Sequence, residues 1–509
     1  MTTLDCPANE DGNENNELDQ LTKHPKTWFK KRFPELYKKY NGEVVFLVAK
    51  KDGARLVQNF NEDFIAETLG INGNPTSPTI YVSREGRFYR YEQSEGIYMP
   101  VSESILVTEV SSLLQQCAED CEDKGCLDTG LLRFHLSKSS QLNGVIKKAK
   151  GYLNVSDNYF DTNVQEYIAC KNGMLRLSDM QLVKFDPSFR RRNKLSVAYD
   201  PYAKCPLFEN TLMRQSLDED DIRFLQEWFG VALLGKNIPQ VIVILFGTAG
   251  GGKSTFANIV AAIIGRRNVY TLRTEKLGDK FETSFYLGKT LLQGVDVATD
   301  FLTHKSASAL KSLTGGDIMN VEVKFCPEGG PEIEGYFNVI IICNTLPNIR
   351  LEGDLGAWKR RFGFVHYCKT KPQTVIASLA DLILKEEGSG VLNWALAGLM
   401  RIRDNKWGFI LTKKQNDLVD KALLQSASPQ VFVKNCLEKH DTGVLSLNDC
   451  FEKYHHYCMN RDWEPLPYGD AMPIIKNQIL RIFALAERHD LRIPNVTSQQ
   501  RGWKGIKVK

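Results

Sequence analysis

The sequence predicts an α/β fold class, in which an α/β core lies between an N-terminal α+β domain and a C-terminal helical, winged-helix-like region. Three observations lead to this prediction. The apolar run over residues 241–246 indicates a buried strand, and a glycine-rich loop and a helical pattern over 254–264 follow it directly. Two further strand-like segments each lead to a polar residue, since residues 289–296 end in Asp296 and the apolar run 338–343 is followed by Asn344. The length of 509 residues allows several domains.

Five segments are predicted along the chain. Residues 1–22 carry acidic but no basic side chains, which is the opposite of a signal or transit peptide and indicates a disordered leader. Aromatic and polar residues alternate over 79–100 around turn signals, a pattern typical of β-hairpins. The predicted divisions are the acidic leader (1–22), an N-terminal α+β domain (23–209), an α/β core (210–370), a helical subdomain (371–428) and a winged-helix-like C-terminal domain (429–509).

Prolines mark the entrance to the core. Pro201 and Pro206 interrupt the chain, and the next helical pattern follows Ser216. Because Glu219 lies three residues after Ser216, we expect the pair to form a capping box at the start of that helix.

Composition excludes several classes of protein. Apolar residues make up 42% and charged residues 25%, as in ordinary globular proteins, and no apolar run approaches the ~20 residues that span a bilayer. We therefore expect no membrane helix. The net charge of +4 does not by itself indicate a polyanionic partner. The basic clusters at 190–192, 147–148 and 359–361 can contact phosphates, but we favour solvated surface for each of them.

The 12 cysteines are scattered through predicted strands and helices, which indicates a reducing compartment, the cytoplasm of a bacterial or virus-infected cell. Cys117, Cys121 and Cys126, with His135 downstream, offer four zinc ligands, but their spacing is not that of a standard zinc knuckle. Small buried cysteines are the favoured interpretation, and zinc stays open. The pair His455–His456 is assigned to the packing face of a helix.

The strongest motif is Gly-x4-Gly-Lys-Ser, formed by Gly247, Gly252, Lys253 and Ser254. Glycines let backbone amides approach phosphates closely, the helix that follows points its N–H groups at the same anion, and the lysine reaches the β and γ phosphates. The motif predicts that ATP is bound with Mg²⁺, the Ser254 hydroxyl being a metal ligand. The residues expected to bind ATP are Gly247, Thr248, Ala249, Gly250, Gly251, Gly252, Lys253, Ser254 and Thr255.

Further catalytic candidates follow the predicted strands. Such an enzyme needs an acidic residue at the end of a neighbouring strand, and Asp296 is assigned as the metal ligand, with Asp300 as a weaker second candidate. Asn344 follows the run 338–343, where its amide can orient the attacking water or cap the strand end. Arg360 and Arg361 offer guanidinium groups that can complete the site of a neighbouring subunit.

Taken in order, these residues resemble the superfamily 3 helicases, and among them the group that contains the poxvirus helicase-primase and the phage and plasmid replication helicases. The resemblance covers roughly residues 80–409. Beyond the glycine-rich loop it rests on Lys311-Ser-Leu-Thr-Gly-Gly-Asp317, a basic-aromatic hairpin through Lys324 and Phe325, Asn344-Thr-Leu-Pro347, Trp358-Lys-Arg-Arg361, Lys171-Asn-Gly-Met-Leu-Arg-Leu177, Tyr199-Asp-Pro-Tyr-Ala-Lys-Cys-Pro206 and Gly390-Val-Leu-Asn-Trp394.

The resemblance implies an AAA+-like core and a hexameric ring that threads single-stranded or forked DNA, with 3′ to 5′ movement. It implies that Asn344 is the sensor, that Arg360 or Arg361 is the arginine finger, and that Lys324 contacts DNA beside Phe325. Relatives usually carry glutamate at the position of Asp296, so its role as a metal ligand is better supported than its role as the general base, and whether Asp296 or another carboxylate is the general base stays open. The larger relatives carry a primase or polymerase module, which we expect here on a separate protein.

Two other functions are compatible with a glycine-rich loop of this kind. One is an ATPase ring that remodels or loads replication partners without processive unwinding. The other is a small-molecule kinase, which we disfavour because the chain shows no cluster of arginines typical of a lid.

Overall fold

The computed structural model describes residues 23–51, 54–122, 139–298, 301–302, 304–322, 331–347, 355–369, 376–461, 463–492 and 499–509. The chain divides into two compact units. The first comprises Met1–Tyr199 with Asn320–Ile333, and the second comprises Asp200–Met319 with Glu334–Lys509. The predicted leader, 1–22, lies outside the described residues. The finer predicted divisions at 370/371 and 428/429 stay predictions.

The first unit mixes helices with three small antiparallel sheets, β1-β2, β3-β4-β5 and β6-β7-β8. The hairpins predicted over 79–100 are confirmed as β3, β4 and β5. After a helical stretch over 23–32, its helices are α1 (Pro34–Lys39), α2 (Glu62–Thr68), α3 (Glu103–Glu122) and α4 (Ser139–Tyr152). Its strands are β1 (Val45–Lys51), β2 (Ala54–Phe60), β3 (Thr79–Val82), β4 (Arg87–Glu92), β5 (Ile97–Val101), β6 (Tyr167–Cys170), β7 (Gly173–Arg176) and β8 (Gln181–Val183).

Aromatic side chains hold the helices of this unit together. Phe29 and Phe64 are both fully buried, with ring centroids 5.4 Å apart in an edge-to-face arrangement. Asn61 starts α2, because its side-chain oxygen accepts hydrogen bonds from the amides of Asp63 and Phe64. The side-chain cap at Asn61 and the packing of Phe64 therefore both stabilise helix α2.

The second unit is an α/β unit with a helical and antiparallel C-terminal part. It begins with a π-helix (Phe208–Met213) and a single helical turn (Arg214–Ser216). The helices that follow are α5 (Glu219–Leu233), α6 (Lys253–Ile264), α7 (His304–Gly315), α8 (Leu355–Lys359), α9 (Leu379–Asp404), α10 (Lys413–Ser426), α11 (Ser428–Cys436), α12 (Leu447–Met459) and α13 (Tyr468–Phe483). Its strands are β9 (Ile242–Gly247), β10 (Val269–Thr271), β11 (Leu291–Gly294), β14 (Asn338–Ile342), β15 (Phe362–Tyr367), β16 (Leu437–Ser446), β17 (Arg488–Leu491) and β18 (Gln500–Val508). A short pair, β12 (Ile318–Asn320) and β13 (Glu332–Glu334), lies at the two ends of the segment Asn320–Ile333, of which residues 323–330 are not described.

A parallel five-stranded sheet in the order β10-β11-β14-β9-β15 forms the centre of this unit, in agreement with the predicted α/β class. Every residue of β9 and β14 is buried, which explains their continuous apolar sequences. Because all strands are parallel, their carboxyl ends meet at one edge. The order corrects one expectation: β14, not β11, is the neighbour of β9, so the strand that precedes Asp296 is one position further away.

The helix start predicted at Ser216 is wrong. Asp218 is the N-cap of α5, since its side chain accepts a hydrogen bond from the Asp221 amide at 3.1 Å. Aspartate and serine are both good caps, so the two positions could not be told apart by residue type alone.

The C-terminal part contains α11, α12, α13 and the antiparallel sheet β16-β18-β17. Its core includes Phe432, Tyr454, Ile475 and Trp503, all of which are almost completely buried. Three helices beside a three-stranded antiparallel sheet are compatible with the winged-helix-like prediction, which stays a prediction. In the described part of the chain, no helix is long and apolar enough to cross a membrane.

Candidate functional site

A cleft of about 410 Å³ opens at the carboxyl edge of the parallel sheet in the second unit. One wall consists of residues 249–255, and Asp296 and Asn344 close its floor. A second wall comes from Thr211, Leu212, Gln215, Ser216, Ile376 and Leu379. Open α/β sheets bind ligands at this edge, so the position alone makes the cleft the first candidate for a functional site.

Two glycines explain why the loop between β9 and α6 has this sequence. Gly247 has φ 124°, and a Cβ there would lie 2.3 Å from the carbonyl oxygen of Tyr367 on β15. Gly252 starts α6 with φ 96°. Both positions disfavour any residue with a side chain, because the backbone is left-handed and, at Gly247, the neighbouring strand is too close. The loop therefore follows the sheet closely before it turns into the helix.

Lys253 is held inside this loop. Its side chain is 5% exposed, and Nζ donates hydrogen bonds to the carbonyl oxygens of Gly247 at 2.6 Å and Thr248 at 2.9 Å. Burial lowers the pKa of Lys253, and the negative charge of Asp296 opposes that change. The ammonium group is thus fixed at the mouth of the cleft by two weak neutral acceptors, which an anion can replace.

The structure brings the predicted polar residues to the same cleft. Asp296 follows β11 with φ 50°, and the adjacent Val297 amide donates to the Ile342 carbonyl oxygen of β14 at 2.9 Å. The Asn344 carbonyl oxygen accepts from the Gly247 amide at 3.2 Å. The side chains of Asp296 and Asn344 are exposed and line the cleft, as does Ser254. These two backbone hydrogen bonds connect the strand ends that carry Asp296 and Asn344 to each other and to the start of the glycine-rich loop.

The oxygen atoms present suit Mg²⁺ better than a transition metal. Ser254 offers a hydroxyl and Asp296 a carboxylate, and Mg²⁺ is commonly held by one or two protein oxygens together with substrate phosphates and water. Among the described residues, no group of three or more His, Cys, Asp or Glu side chains is placed to hold a metal ion.

The two arginines lie at the opposite edge of the sheet. The Arg361 carbonyl oxygen accepts from the Ile242 amide at 2.7 Å, at the amino ends of β15 and β9. The six-residue strand β9 therefore separates Arg361 from the glycine-rich loop by roughly 17 Å. Arg361 is 5% exposed and donates to Gln240 Oε1 at 3.3 Å, whereas Arg360 is exposed.

Several predicted candidates fall on residues that the structure does not describe. These are Asp300, the DNA-contact pair Lys324 and Phe325, and, among the zinc candidates, Cys126 and His135 together with the side chain of Cys121. Cys117 is fully buried in the core of the first unit, which agrees with the favoured interpretation for that residue. His455 and His456 are exposed, so their assignment to a packing face is wrong, and the neighbouring Tyr454 and Tyr457 are buried instead.

The basic cluster 190–192 is part of the fold rather than a solvated surface. Arg191 is 8% exposed and donates to the carbonyl oxygens of Thr162 and Asn163. Arg192 forms an ion pair with Glu85 and lies over the Phe160 ring at 4.9 Å. The expectation of a solvated surface is therefore wrong for these two arginines, because loop carbonyls and a buried carboxylate satisfy them.

One whole wall of the cleft lies outside the residues predicted from the sequence. Its members come from the π-helix, from the turn after it and from the start of α9, namely Thr211, Leu212, Gln215, Ser216, Ile376 and Leu379. No motif marks them, and π-helices have no sequence signature that pattern analysis recognises. A π-helix beside a cleft is itself a signal in the structure, because such segments are frequent at functional sites.

Comparison with known proteins adds to this geometry. Residues 81–215 match the family D5 N terminal like. The matched range includes the segment 171–177 on which the resemblance rests upstream. Residues 245–361, from the end of β9 to Arg361, match a family of unknown function, DUF5906. No curated protein matches the chain.

Solved structures of the NrS-1 C-terminal region are similar to this chain at low identity. An apo structure of residues 305–718 of that protein has 14% identity and a TM-score of 0.47, with 87% of this chain and 99% of the other covered. An A-form apo structure of the same region has 13% identity and a TM-score of 0.43, with 85% and 97% covered.

Proposed function

We propose that this protein is an ATP-dependent DNA helicase of the superfamily 3 type, acting in the replication of a virus, phage, plasmid or mobile element. ATP hydrolysis drives movement of a ring along single-stranded DNA, 3′ to 5′. One observation carries the nucleotide part of the proposal: Lys253 and Ser254 at the start of α6, Asp296 after β11 and Asn344 after β14 line a single cleft beside a glycine-rich loop.

The cleft supplies what phosphoryl transfer from ATP requires. The first turn of α6 directs unpaired amides and its positive dipole end at the phosphates. Lys253 exchanges its two carbonyl partners for phosphate oxygens, a stronger charged interaction. Ser254 and Asp296 would hold Mg²⁺, which would supply neutralisation of the phosphate charge. The Asn344 amide orients the attacking water.

Arg360 is the proposed arginine finger. Both arginines lie at the sheet edge away from their own cleft, so a finger has to serve a neighbouring subunit. Arg361 is buried and bonded to Gln240, whereas Arg360 is exposed and free to project from the surface. A closed homo-oligomer, a hexamer by resemblance, places each Arg360 at the next subunit's cleft.

DNA is the proposed track for the ring. The D5 N terminal like match over 81–215 supports a replication function, and the resemblance assigns Lys324 and Phe325 to a hairpin that grips the strand. Lysine and an aromatic ring suit phosphate contact and base stacking.

The test is ATP hydrolysis with and without single-stranded DNA. We expect DNA to stimulate hydrolysis, stimulation to weaken as salt rises because counterions are released on binding, and Lys324→Ala to lose most of it. DNA-independent hydrolysis that Lys324→Ala leaves unchanged would instead favour the ring that remodels partners. Absence of any hydrolysis would overturn both.

A further inference from the structure

The second wall of the cleft contains polar and apolar groups that phosphate chemistry does not use. Thr211, Gln215 and Ser216 contribute hydroxyl and amide groups, and Leu212, Ile376 and Leu379 contribute apolar surface. Within the part of the chain that the structure describes, the Gln215 side chain makes no hydrogen bond, and it is exposed to the cleft. An amide placed in this way is available to a ligand.

Contacts with α9 hold this wall in place. Glu387 accepts hydrogen bonds from the amides of Leu207 at 2.8 Å and Phe208 at 2.9 Å, which caps the π-helix. The Phe208 ring packs edge-to-face on Trp394, with centroids 5.0 Å apart. Asn393 donates to the Asp200 carbonyl oxygen at 2.7 Å. The segment that carries Gln215 is thus fixed on a long helix, a property expected of a binding site.

The wall and the glycine-rich loop are in direct contact. A Cβ built on Gly252 would lie 2.9 Å from Leu212 Cδ1 and 3.2 Å from Ser216 Oγ. The phosphate-binding part and the second wall therefore belong to one continuous cleft. Its volume of about 410 Å³ falls in the range of small-molecule sites, which are mostly apolar with a few placed polar groups.

We propose that this wall is the nucleoside subsite and that Gln215 selects adenine. The proposal rests on the proposed function. Leu212, Ile376 and Leu379 cover the faces of the base, and the Gln215 amide donates to N7 or N1 and accepts from the N6 amino group. A glutamine amide suits adenine in this way because it carries a donor and an acceptor side by side.

The charge distribution of the lining argues against guanine. Guanine is read by Arg or Lys at O6 and N7, or by a carboxylate that accepts from its N–H groups. Among the described residues that line the cleft, the only lysine is Lys253 and the only carboxylate is Asp296, and both lie on the phosphate side. The wall around Gln215 holds no charged group in that lining.

The experiment is competition for a fluorescent ATP analogue bound to the full chain. The competitors are ATP, GTP and inorganic tripolyphosphate, with wild type, Gln215→Ala, Gln215→Glu and the control Gln181→Ala, an exposed glutamine on β8. We expect wild type and the control to prefer ATP over GTP by about tenfold or more. Gln215→Ala should lose most of that preference, Gln215→Glu should reduce or reverse it, and tripolyphosphate should compete equally in all four.

The arms separate two kinds of failure. If wild type binds neither the analogue nor tripolyphosphate, the proposed nucleotide function fails. If wild type binds ATP but both Gln215 variants keep the wild-type ratio of ATP to GTP, the function stands and the assignment of Gln215 is overturned. Thermal melting of each variant shows that the chain is folded.

Discussion

The Lys253 side chain combines burial, a lowered pKa and two carbonyl partners at the mouth of the cleft. Replacing it by alanine removes the charge that binds the phosphates. We expect Lys253→Ala to slow ATP hydrolysis at least about 100-fold, as loss of a transition-state charge contact does. Phosphate release under saturating ATP measures this.

A surface lysine provides the matched control. Lys385→Ala, on the exposed side of α9, should hydrolyse ATP at the wild-type rate. If Lys253→Ala hydrolyses ATP as fast as this control, the assignment of Lys253 to the ATP site is wrong.

Only those residues of the site that belong to a motif or follow an apolar strand could be predicted from the sequence. Gly247, Lys253, Asp296 and Asn344 follow strands or begin a helix, and strand ends meet wherever parallel strands form one sheet. Gln215 belongs to no motif and reaches the cleft only through a π-helix, so nothing local marks it. Arg361 lies far from the cleft because β15 runs parallel to β9, and this pairing is known only from the structure of the sheet.

Helix α6 depends on the left-handed conformation of Gly252. In Gly252→Ala, the φ of 96° costs about 1–3 kcal/mol, and the new methyl group pushes Leu212 out of the second wall. We expect a lower melting temperature and at least about tenfold weaker ATP binding. Calorimetric titration and thermal unfolding measure the two effects. Gly151→Ala is the control, because a Cβ there meets nothing within 4 Å and alanine favours helix α4, so its ATP binding should equal that of wild type.

The junction between α5 and α10 gives the protein a pH dependence. Burial raises the pKa of Asp221 to about 6, and the negative charge of Asp218 raises it as well. The hydrogen bond that Gln415 donates to Asp221 at 2.9 Å and the positive charge of Lys414 partly oppose this increase. Between about pH 4 and 6 the folded state keeps a proton that the unfolded chain has lost, so the free energy of unfolding falls as pH rises through this window.

Asp221→Asn should remove this fall in the free energy of unfolding, because asparagine does not titrate. Relative to wild type, the variant should gain stability between pH 4 and 7, by at most roughly 3 kcal/mol. Denaturant unfolding at several pH values measures the difference. The exposed control Asp157→Asn should run parallel to wild type, and an Asp221→Asn curve that also runs parallel would contradict the proposed titration.

The positions of strands and hairpins could be predicted from the sequence better than the order of the strands in the parallel sheet. The apolar strands β9 and β14 and the hairpins of β3–β5 follow from their residue patterns. The order of the sheet does not, because β11 and β14 read alike as short apolar runs and only packing decides which lies beside β9. The start of α5 was displaced by two residues, since Ser216 and Asp218 are both competent caps.

The whole assembly is tested by mixing variants. Arg360→Ala keeps its own cleft but lacks the finger, and Lys253→Ala lacks the cleft but keeps the finger. If Arg360 acts between subunits, each variant alone should be inactive, and an equal mixture should regain activity at roughly a quarter of the interfaces. An inactive mixture, with rings present by electron microscopy, would mean that Arg360 acts otherwise.

Arg361 separates structural from catalytic loss in the same experiment. Because it is buried and bonded to Gln240, Arg361→Ala should lower the melting temperature. Mixing it with Lys253→Ala should restore no more activity than its folded fraction allows. Full restoration by Arg361→Ala and none by Arg360→Ala would exchange their roles.

Strand displacement from a forked DNA shows whether this protein is a DNA helicase. With ATP and Mg²⁺, the wild-type protein should release the labelled strand from a fork with a 3′ single-stranded tail, and not from one with only a 5′ tail. Lys253→Ala should release neither. Steady ATP hydrolysis by the wild type without displacement from either fork would contradict the account.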